Sequence, residues 1–242
     1  MTIAWRTAAW AAAAGAALIA VPVGAAWAAS SDGSGDDDRG AYGRAMGGMM
    51  RAWHDDDDDV AHGGGCLGTA AEDDAPATDA DAASLAATAE EERMAGDLYD
   101  ALADAWDLRT FAMVAHAEDM HLGAVLTLMD AYGLNDPTEG AVAGVYDDAD
   151  LQTLYDDLLE RGTASETGAL AVGAYVEEAD IGDLRAQDVD SASLASLYAR
   201  LEHASEHHLT VFVRALDADG QPYEATVLTP AEVAEITGVP AP

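Results

Sequence analysis

Apolar residues recur with helical periodicity from about residue 82 onward, and no segment alternates convincingly in the manner of a strand. Four long helices are predicted, at residues 82–106, 111–132, 167–184 and 192–216. Alanine is abundant and aromatic residues make up only 6% of the chain, which also favours helices over strands.

Two shorter helices complete the predicted secondary structure. The first, residues 149–160, begins after Asp148, lies between the second and third long helices and is expected to end at Gly162. The second begins at Thr229, where Thr-Pro-Ala-Glu forms a capping box with proline at the first helical position. Thr110 is the expected N-cap of the second long helix. The pattern predicts an all-α four-helix bundle, with a short crossover helix between helices 2 and 3 and a short C-terminal helix.

Residues 1–28 have the organisation of an export signal. Arg6 supplies a positive charge, the following run to Ala26 carries no charge, and Ala26-Trp27-Ala28 is a small-x-small cleavage pattern. Removal of this segment is predicted to leave a secreted or extracytoplasmic protein without stable membrane insertion. An uncleaved anchor is the alternative, because the apolar run approaches the length that spans a bilayer.

Residues 29–80 are rich in glycine, aspartate and alanine and show little apolar periodicity. This composition predicts a disordered acidic tether in front of a folded domain of residues 81–242. The methionine, histidine and cysteine side chains of the tether could bind copper or zinc weakly, although a solvated tether is the preferred interpretation. Cys66 is the only cysteine, so the fold must depend on packing or on metal rather than on an internal disulfide.

The formal net charge of −36 argues against nucleic acid and anionic membranes as partners. Such a surface attracts cations, so metal ions are the expected partners. Adaptation of the surface to high salt remains an alternative explanation of the charge.

Each long helix carries a potential metal ligand on or near its apolar face, where an unpaired charge would be costly. In the second helix, Glu118 and His121 lie on the same face, and their three-residue spacing lets them reach one metal or two adjacent metals. In the fourth helix, His208 lies within the apolar stripe. Repetition over four helices, rather than any one residue, predicts a metal site.

The first and third helices leave the choice of ligand open. Glu91 and Glu92 lie on nearly the same face of the first helix. Glu177 lies in the middle of the apolar stripe of the third helix, Asp180 follows one turn later, and an error of one residue in register would select Glu178. Glu92 and Glu177 are the preferred candidates.

Three segments resemble the helix motifs of rubrerythrins. Residues 92–99 are similar to the first-helix motif Glu-x-x-Ala-x-x-x-Tyr, and residues 118–121 resemble the second-helix motif Glu-x-x-His. Residues 205–212 resemble the fourth-helix motif Glu-x-x-His-x-x-x-Phe, except that Ser205 replaces the glutamate.

The chain is still more similar to the family called domain of unknown function 2202, a ferritin-like family of bacteria and archaea. The resemblance extends over about residues 84–236 and is carried by five blocks, at residues 90–99, 132–137, 151–155, 172–184 and 205–212. It implies the ferritin-like fold and a di-metal site, but no known reaction.

The resemblance and the helical pattern together give a candidate ligand set for two divalent metal ions, with iron preferred and manganese or zinc as alternatives. The candidate ligands are Glu92, Glu118, His121, Glu177 and His208, and Asp180 could supply a fourth carboxylate, so the number of ions, one or two, is left open. Because Ser205 is a poor ligand for a hard cation, the position near His208 is expected to be the weaker and more open of the two.

Three classes of function fit these observations. The preferred class is a non-haem di-iron or iron/manganese protein, ferroxidase-like or peroxidase-like, that handles ferrous iron, dioxygen or peroxide. Such a protein would need an external electron donor if redox active, because the chain lacks a cysteine-rich domain of its own. The alternatives are an extracytoplasmic metal buffer without turnover and a metal-free helical interaction module. No catalytic residue is assigned, and a homodimer is left open.

Overall fold

The computed structural model describes residues 76–242, and this part of the chain contains six α-helices and no β-strand. In chain order the helices are α1 (Asp79–Trp106), α2 (Arg109–Ala131), α3 (Ala149–Ala164), α4 (Glu166–Ala186), α5 (Ala192–Ala218) and α6 (Pro230–Thr237). The all-α class predicted from the sequence is confirmed. No described helix has the length and hydropathy needed to cross a membrane. The predicted signal peptide and nearly all of the predicted tether lie outside the described residues.

Helix α1 begins a few residues earlier than the apolar pattern predicts. Thr78 and Asp81 form a capping box, in which the Asp81 amide donates to Thr78 Oγ1 at 3.1 Å and the Thr78 amide donates to Asp81 Oδ2 at 2.8 Å. These bonds satisfy amides that the first helical turn leaves without backbone partners. As a result Asp79 and Ala80, which the sequence assigned to the tether, form the first turn of the domain.

Two predicted helix boundaries are wrong. Helix α2 begins at Arg109 and follows Leu108, which makes no side-chain cap, so Thr110 lies inside the helix. Helix α3 continues past Gly162 to Ala164. Gly162 is buried against α1, where a Cβ atom would lie 2.6 Å from Cδ2 of Leu102. This glycine therefore permits close packing of two helices and does not end one.

The long helices pack in two pairs, α1 with α2 and α4 with α5. The pairs meet where α2 contacts α5 and α1 contacts α4. Helix α3 lies against α4 and α1, and α6 lies against α5. Helix α4 is therefore covered on several sides, and most of its residues are buried.

Two apolar clusters form the core. One is aliphatic and includes Leu85, Val125, Leu184, Leu194 and Leu201. The other is aromatic: the ring of Phe212 lies 5.6 Å from that of Tyr99 and 5.5 Å from that of Phe111, centroid to centroid.

Between these clusters each long helix contributes a buried polar side chain. On α1, α2 and α5 the polar residue falls, along the chain, between a residue of the aliphatic cluster and one of the aromatic cluster. On α4 it falls between Gly173, which lies against Phe212, and Leu184 of the aliphatic cluster. The polar residues are Glu92 on α1, Glu118 on α2, Glu177 on α4 and His208 on α5. Sequence periodicity thus places one polar layer inside an otherwise apolar core.

Candidate metal centre

Glu118 lies at the centre of the polar layer, with only 3% of its surface exposed. Its Oε2 atom is 2.6 Å from Nδ1 of His121, one helical turn away on α2. Its Oε1 atom is 2.9 Å from Nδ1 of His208 on α5. The two oxygens of one carboxylate therefore face two different imidazoles.

A second carboxylate accompanies each histidine. Glu92 on α1 brings Oε2 to 3.4 Å from Nδ1 of His121, and Glu177 on α4 brings Oε2 to 3.3 Å from Nδ1 of His208. The ligand-type atoms form two groups, one from Glu92, Glu118 and His121 and the other from Glu118, Glu177 and His208. Within each group these atoms lie within 4.8 Å of one another. The two groups share Glu118.

The spacing of these atoms suits metal coordination. Imidazole nitrogens and carboxylate oxygens lie about 2.1 Å from a divalent transition metal, so two ligands at a right angle are about 3 Å apart. The nitrogen-to-oxygen distances here, from 2.6 to 3.4 Å, bracket that value. The imidazole rings of His121 and His208 lie 5.7 Å apart with an interplanar angle of 25°. Five of the sequence-predicted ligands are thus brought together, from four helices.

Burial and mutual charge explain the pKa shifts in the cluster. Burial raises the pKa of Glu92 and Glu177, and repulsion from Glu118 adds to it. Burial also disfavours ionisation of Glu118, but His121 and His208 outweigh it and lower the pKa of this carboxyl. Burial opposes protonation of His208, but Glu177 and Glu118 raise its pKa to about 10. Two imidazolium groups thus supply positive charge where metal ions would otherwise supply it.

Tyr99 orients Glu177. Its hydroxyl donates a very short hydrogen bond to Glu177 Oε1 and lies 3.3 Å from the carbonyl oxygen of Gly173. The Tyr99 ring is held in the aromatic cluster, so the position of the hydroxyl is determined by packing. The sequence places Tyr99 at the end of the first-helix motif but does not show which carboxylate its hydroxyl contacts.

Asp180 is also near the cluster, in contact with Ser205. The hydroxyl of Ser205 donates to Asp180 Oδ2 at 2.5 Å and lies 2.9 Å from the carbonyl oxygen of Leu201. Burial raises the pKa of Asp180 to about 7, against the opposing effect of this hydrogen bond. Sequence reasoning treated Ser205 as a missing ligand and missed this contact, because the two residues belong to different helices.

The structure shows that Glu177 and Glu178 have different surroundings, a distinction that the sequence could not provide. Glu178 is completely buried and contacts the segment before α6. Its carboxylate accepts hydrogen bonds from the Tyr223 hydroxyl at 2.7 Å and from the amides of Thr226, Val227 and Leu228 at 2.8–3.0 Å. The side chain of Glu178 is thus directed away from the histidines, whereas Glu177 joins them.

The structure also distinguishes Glu91 from Glu92. Glu92 belongs to the His121 group, whereas Glu91 belongs to neither group of ligand-type atoms. Both side chains nevertheless line one small cavity, of about 10 Å³. Its walls are formed by Glu91, Glu92, Ala95, Glu118, Val176, Glu177 and Asp180. Carboxylates rather than imidazoles therefore surround this space.

The remaining histidines of α5 lie elsewhere. His203 is largely exposed and lies 3.6 Å from Glu206, and its ring contacts that of His207 edge-to-face with centroids 4.5 Å apart. Glu202 and Glu206 bind Arg185 at 2.6 and 2.8 Å. These residues form a network at the surface of the helix.

Comparisons with known proteins identify the family of the chain. The family model described as an uncharacterized protein domain, DUF2202, matches residues 81–240. The uncharacterized protein MJ0754 of Methanocaldococcus jannaschii is 35% identical over 149 residues, which cover 61% of this chain and 80% of that protein. A crystal structure of hypothetical protein MJ0754 superposes with a TM-score of 0.64 and 31% identity, covering 69% of this chain and 97% of that one. The family predicted from the sequence is confirmed: the chain belongs to the DUF2202 family.

Proposed function

We propose that this protein is a ferritin-like metal protein with a two-metal carboxylate/histidine centre. One observation carries the proposal: the two oxygens of buried Glu118 face His121 and His208 at 2.6 and 2.9 Å. A carboxylate in that position would contribute to two metal positions, one also formed by Glu92 and His121 and the other by Glu177 and His208. The groups come from four helices, and ferritin-like proteins build their two-metal sites from side chains on four facing helices, which supports the proposal.

The charges of the cluster support two divalent ions rather than one. Two divalent ions bring four positive charges, and Glu92, Glu118 and Glu177 return three negative charges. Asp180 completes the balance and is held at the edge of the cluster by Ser205. Buried carboxylates require such compensation, because an isolated charge in a protein interior is costly.

A pair of such ions, when bound, would supply redox chemistry in which the oxidation of two ferrous ions, one electron each, is coupled to the two-electron reduction of dioxygen or peroxide. The residues of this chain provide the positioning. Tyr99 holds Glu177 in place by hydrogen bonding, Ser205 holds Asp180, and the two apolar clusters exclude bulk water from the layer between them. Iron is the preferred metal, with manganese or zinc as alternatives, since imidazole and carboxylate ligands accept all three. Electrons for a catalytic cycle would come from an external donor.

We place this activity outside the cytoplasm. The support is the N-terminal pattern of Arg6, an uncharged apolar run and Ala26-Trp27-Ala28. If the signal is not cleaved, the acidic tether would hold the domain near the surface of the cell. If the signal is cleaved, the domain would be released. Mass spectrometry of the mature protein tests this point, and loss of residues 1–28 is the expected result.

The decisive experiment measures metal stoichiometry and oxygen consumption together. Apo protein titrated anaerobically with Fe(II) should bind two ions per chain, the one near His208 less tightly than the other. Subsequent exposure to oxygen should consume oxygen in proportion to the bound iron. His208→Ala should lose one of the two ions, whereas the exposed His203→Ala on the same helix should bind both. Unchanged stoichiometry in His208→Ala would contradict the proposal.

Binding without turnover is the second candidate, and one observation favours it. The cavity between the carboxylates has room for about one water-sized sphere, which leaves little space for a substrate beside the ions. A metal buffer would bind two ions in the same titration but consume no oxygen. A metal-free module would bind none tightly.

A further inference from the structure

The exposed face of α5 carries a second group of metal-binding residue types, outside the two-metal centre. His203 and His207 are both exposed, and their rings lie 4.5 Å apart between centroids with an interplanar angle of 71°. Residues four positions apart lie on the same face of a helix, about one turn from each other. Two histidines at this spacing on one helical face form the pair that binds zinc in helical metal motifs.

Glu206 lies beside this pair and is held in place from α4. Its Oε1 atom accepts a hydrogen bond from Nη2 of Arg185 at 2.8 Å, and its Oε2 atom lies 3.6 Å from Nδ1 of His203. The side chain of Glu206 is 27% exposed, whereas that of His203 is 71% exposed. The carboxylate is therefore anchored through one oxygen and presents the other to an imidazole that can rotate.

The local charge at this surface favours a divalent cation. Arg185 has three carboxylates around it, at 2.6, 2.8 and 3.9 Å, from Glu202, Glu206 and Glu232. Three negative charges against one positive charge leave an excess of two, which one divalent ion would balance. Acidic surfaces attract cations of every kind, but neighbouring imidazoles favour transition metals over Mg²⁺ and Ca²⁺.

The surface group is less organised for binding than the two buried groups. The ligand atoms of each buried group already lie within 4.8 Å of one another, whereas those of His203, Glu206 and His207 do not form such a group. Binding therefore requires the two exposed imidazoles to change rotamer and to lose side-chain freedom. A cation at this surface should be bound more weakly than in the buried centre and should exchange more readily with solvent.

We propose that His203, Glu206 and His207 form a surface site for one borderline divalent cation, such as Zn²⁺, Ni²⁺ or Cu²⁺. Water completes the coordination, as in zinc sites with three protein ligands. Affinity for such ligands increases from Fe²⁺ to Ni²⁺ and Cu²⁺, so this site holds ferrous iron more weakly than either of those ions. It shares no ligand with the two-metal centre, so the proposal stands whether or not that centre binds metal.

The first test uses immobilised Ni(II), which can reach ligands at the protein surface but not the buried histidines. The full chain is applied in high salt, which screens the exposed carboxylates, and is eluted with imidazole. The unmodified protein should be retained. His203→Ala, His207→Ala and the double variant should all elute earlier and at the same imidazole concentration, because the loss of either histidine destroys the chelating pair.

His116→Ala on α2 is the matched control. His116 is exposed and has no histidine three or four positions away, so this change removes one surface imidazole without removing a pair. It should elute with the unmodified protein. If His116→Ala and His203→Ala elute equally early, retention depends on the number of exposed histidines rather than on a site, and the proposal is overturned.

Equilibrium dialysis with Ni(II) then counts the ions bound in solution. The double variant should bind one Ni(II) fewer than the unmodified chain, whatever the total bound by the rest of the protein. Glu206→Gln should bind the same number but hold this ion about tenfold more weakly. An unchanged number of ions in the double variant would overturn the site, and unchanged affinity in Glu206→Gln would overturn the three-ligand arrangement.

Discussion

Glu177 and Glu178 are neighbours on α4, and both are buried, yet they belong to different regions of the molecule. Glu177 faces Tyr99 and His208 in the polar layer. Glu178 faces the segment before α6 and accepts bonds from five donor groups, three of them backbone amides. A carboxylate with so many neutral donors has no capacity left for a metal, whereas one that faces imidazoles and a cavity does. Partners, rather than burial or residue type, distinguish a structural carboxylate from a candidate ligand.

The largest effect should come from Glu178→Gln. The amide can no longer accept all five bonds and adds donors of its own opposite backbone amides, so buried donors lose their partner. The free energy of unfolding should fall by about 3 kcal/mol. Chemical denaturation monitored by circular dichroism measures this, and the stoichiometry of metal binding should remain that of the unmodified protein. A loss of metal with unchanged stability would reverse the roles assigned to the two residues.

Glu177→Gln should have the complementary result. It removes a charged ligand but leaves the segment at α6 intact, and His208 keeps Glu118 as a partner. The free energy of unfolding of the apo protein should therefore fall by less than in Glu178→Gln. Metal affinity should fall by about 10- to 100-fold. At a hundredfold excess of metal over the dissociation constant, the unmodified protein gains about 2.7 kcal/mol from binding, and the variant should lose much of that gain. Thermal unfolding without Zn(II) measures the stability of the apo protein, and thermal unfolding with Zn(II) measures the stabilisation gained from metal binding.

Tyr99→Phe tests whether the partner of Glu177 matters to its role. The ring stays in the aromatic cluster, so only the hydrogen bond to Glu177 is lost. Metal affinity should fall by about tenfold, as is typical when a group that orients a ligand is removed. The stability of the apo protein should fall by about 1 kcal/mol. Tyr223→Phe is the control, because it removes the corresponding bond to Glu178 and should leave metal affinity unchanged.

Ser205→Ala should have the smallest effect. It frees Asp180 from its hydrogen bond, at a cost of about 1 kcal/mol in stability. One of the two metal positions should weaken, while the position built on Glu118 and His121 should not. Calorimetric titration resolves the two events. Equal weakening of both would mean that Asp180 is shared evenly between the ions.

The inward faces of α2 and α5 could be predicted from the sequence. Glu118, His121 and His208 were each placed on an apolar face by local periodicity, and the structure brings all three together. Helix ends were less predictable. Gly162 is a residue type that often ends a helix, but here close contact with Leu102 on α1 explains why a glycine is present. Helix ends cannot be predicted from neighbouring residues where a contact with another helix explains why a glycine is present.

The sequence by itself determined that the chain is helical and which residue types lie inside, because both follow from a period of 3.6 residues and from capping groups that act over a single turn. Only the tertiary structure decided between Glu177 and Glu178. Helix α4 is buried on most of its circumference, so it lacks the contrast between an apolar and a polar face that would reveal register. The bond between Ser205 and Asp180 was likewise decided by packing, because it joins α5 to α4 and no local rule connects them.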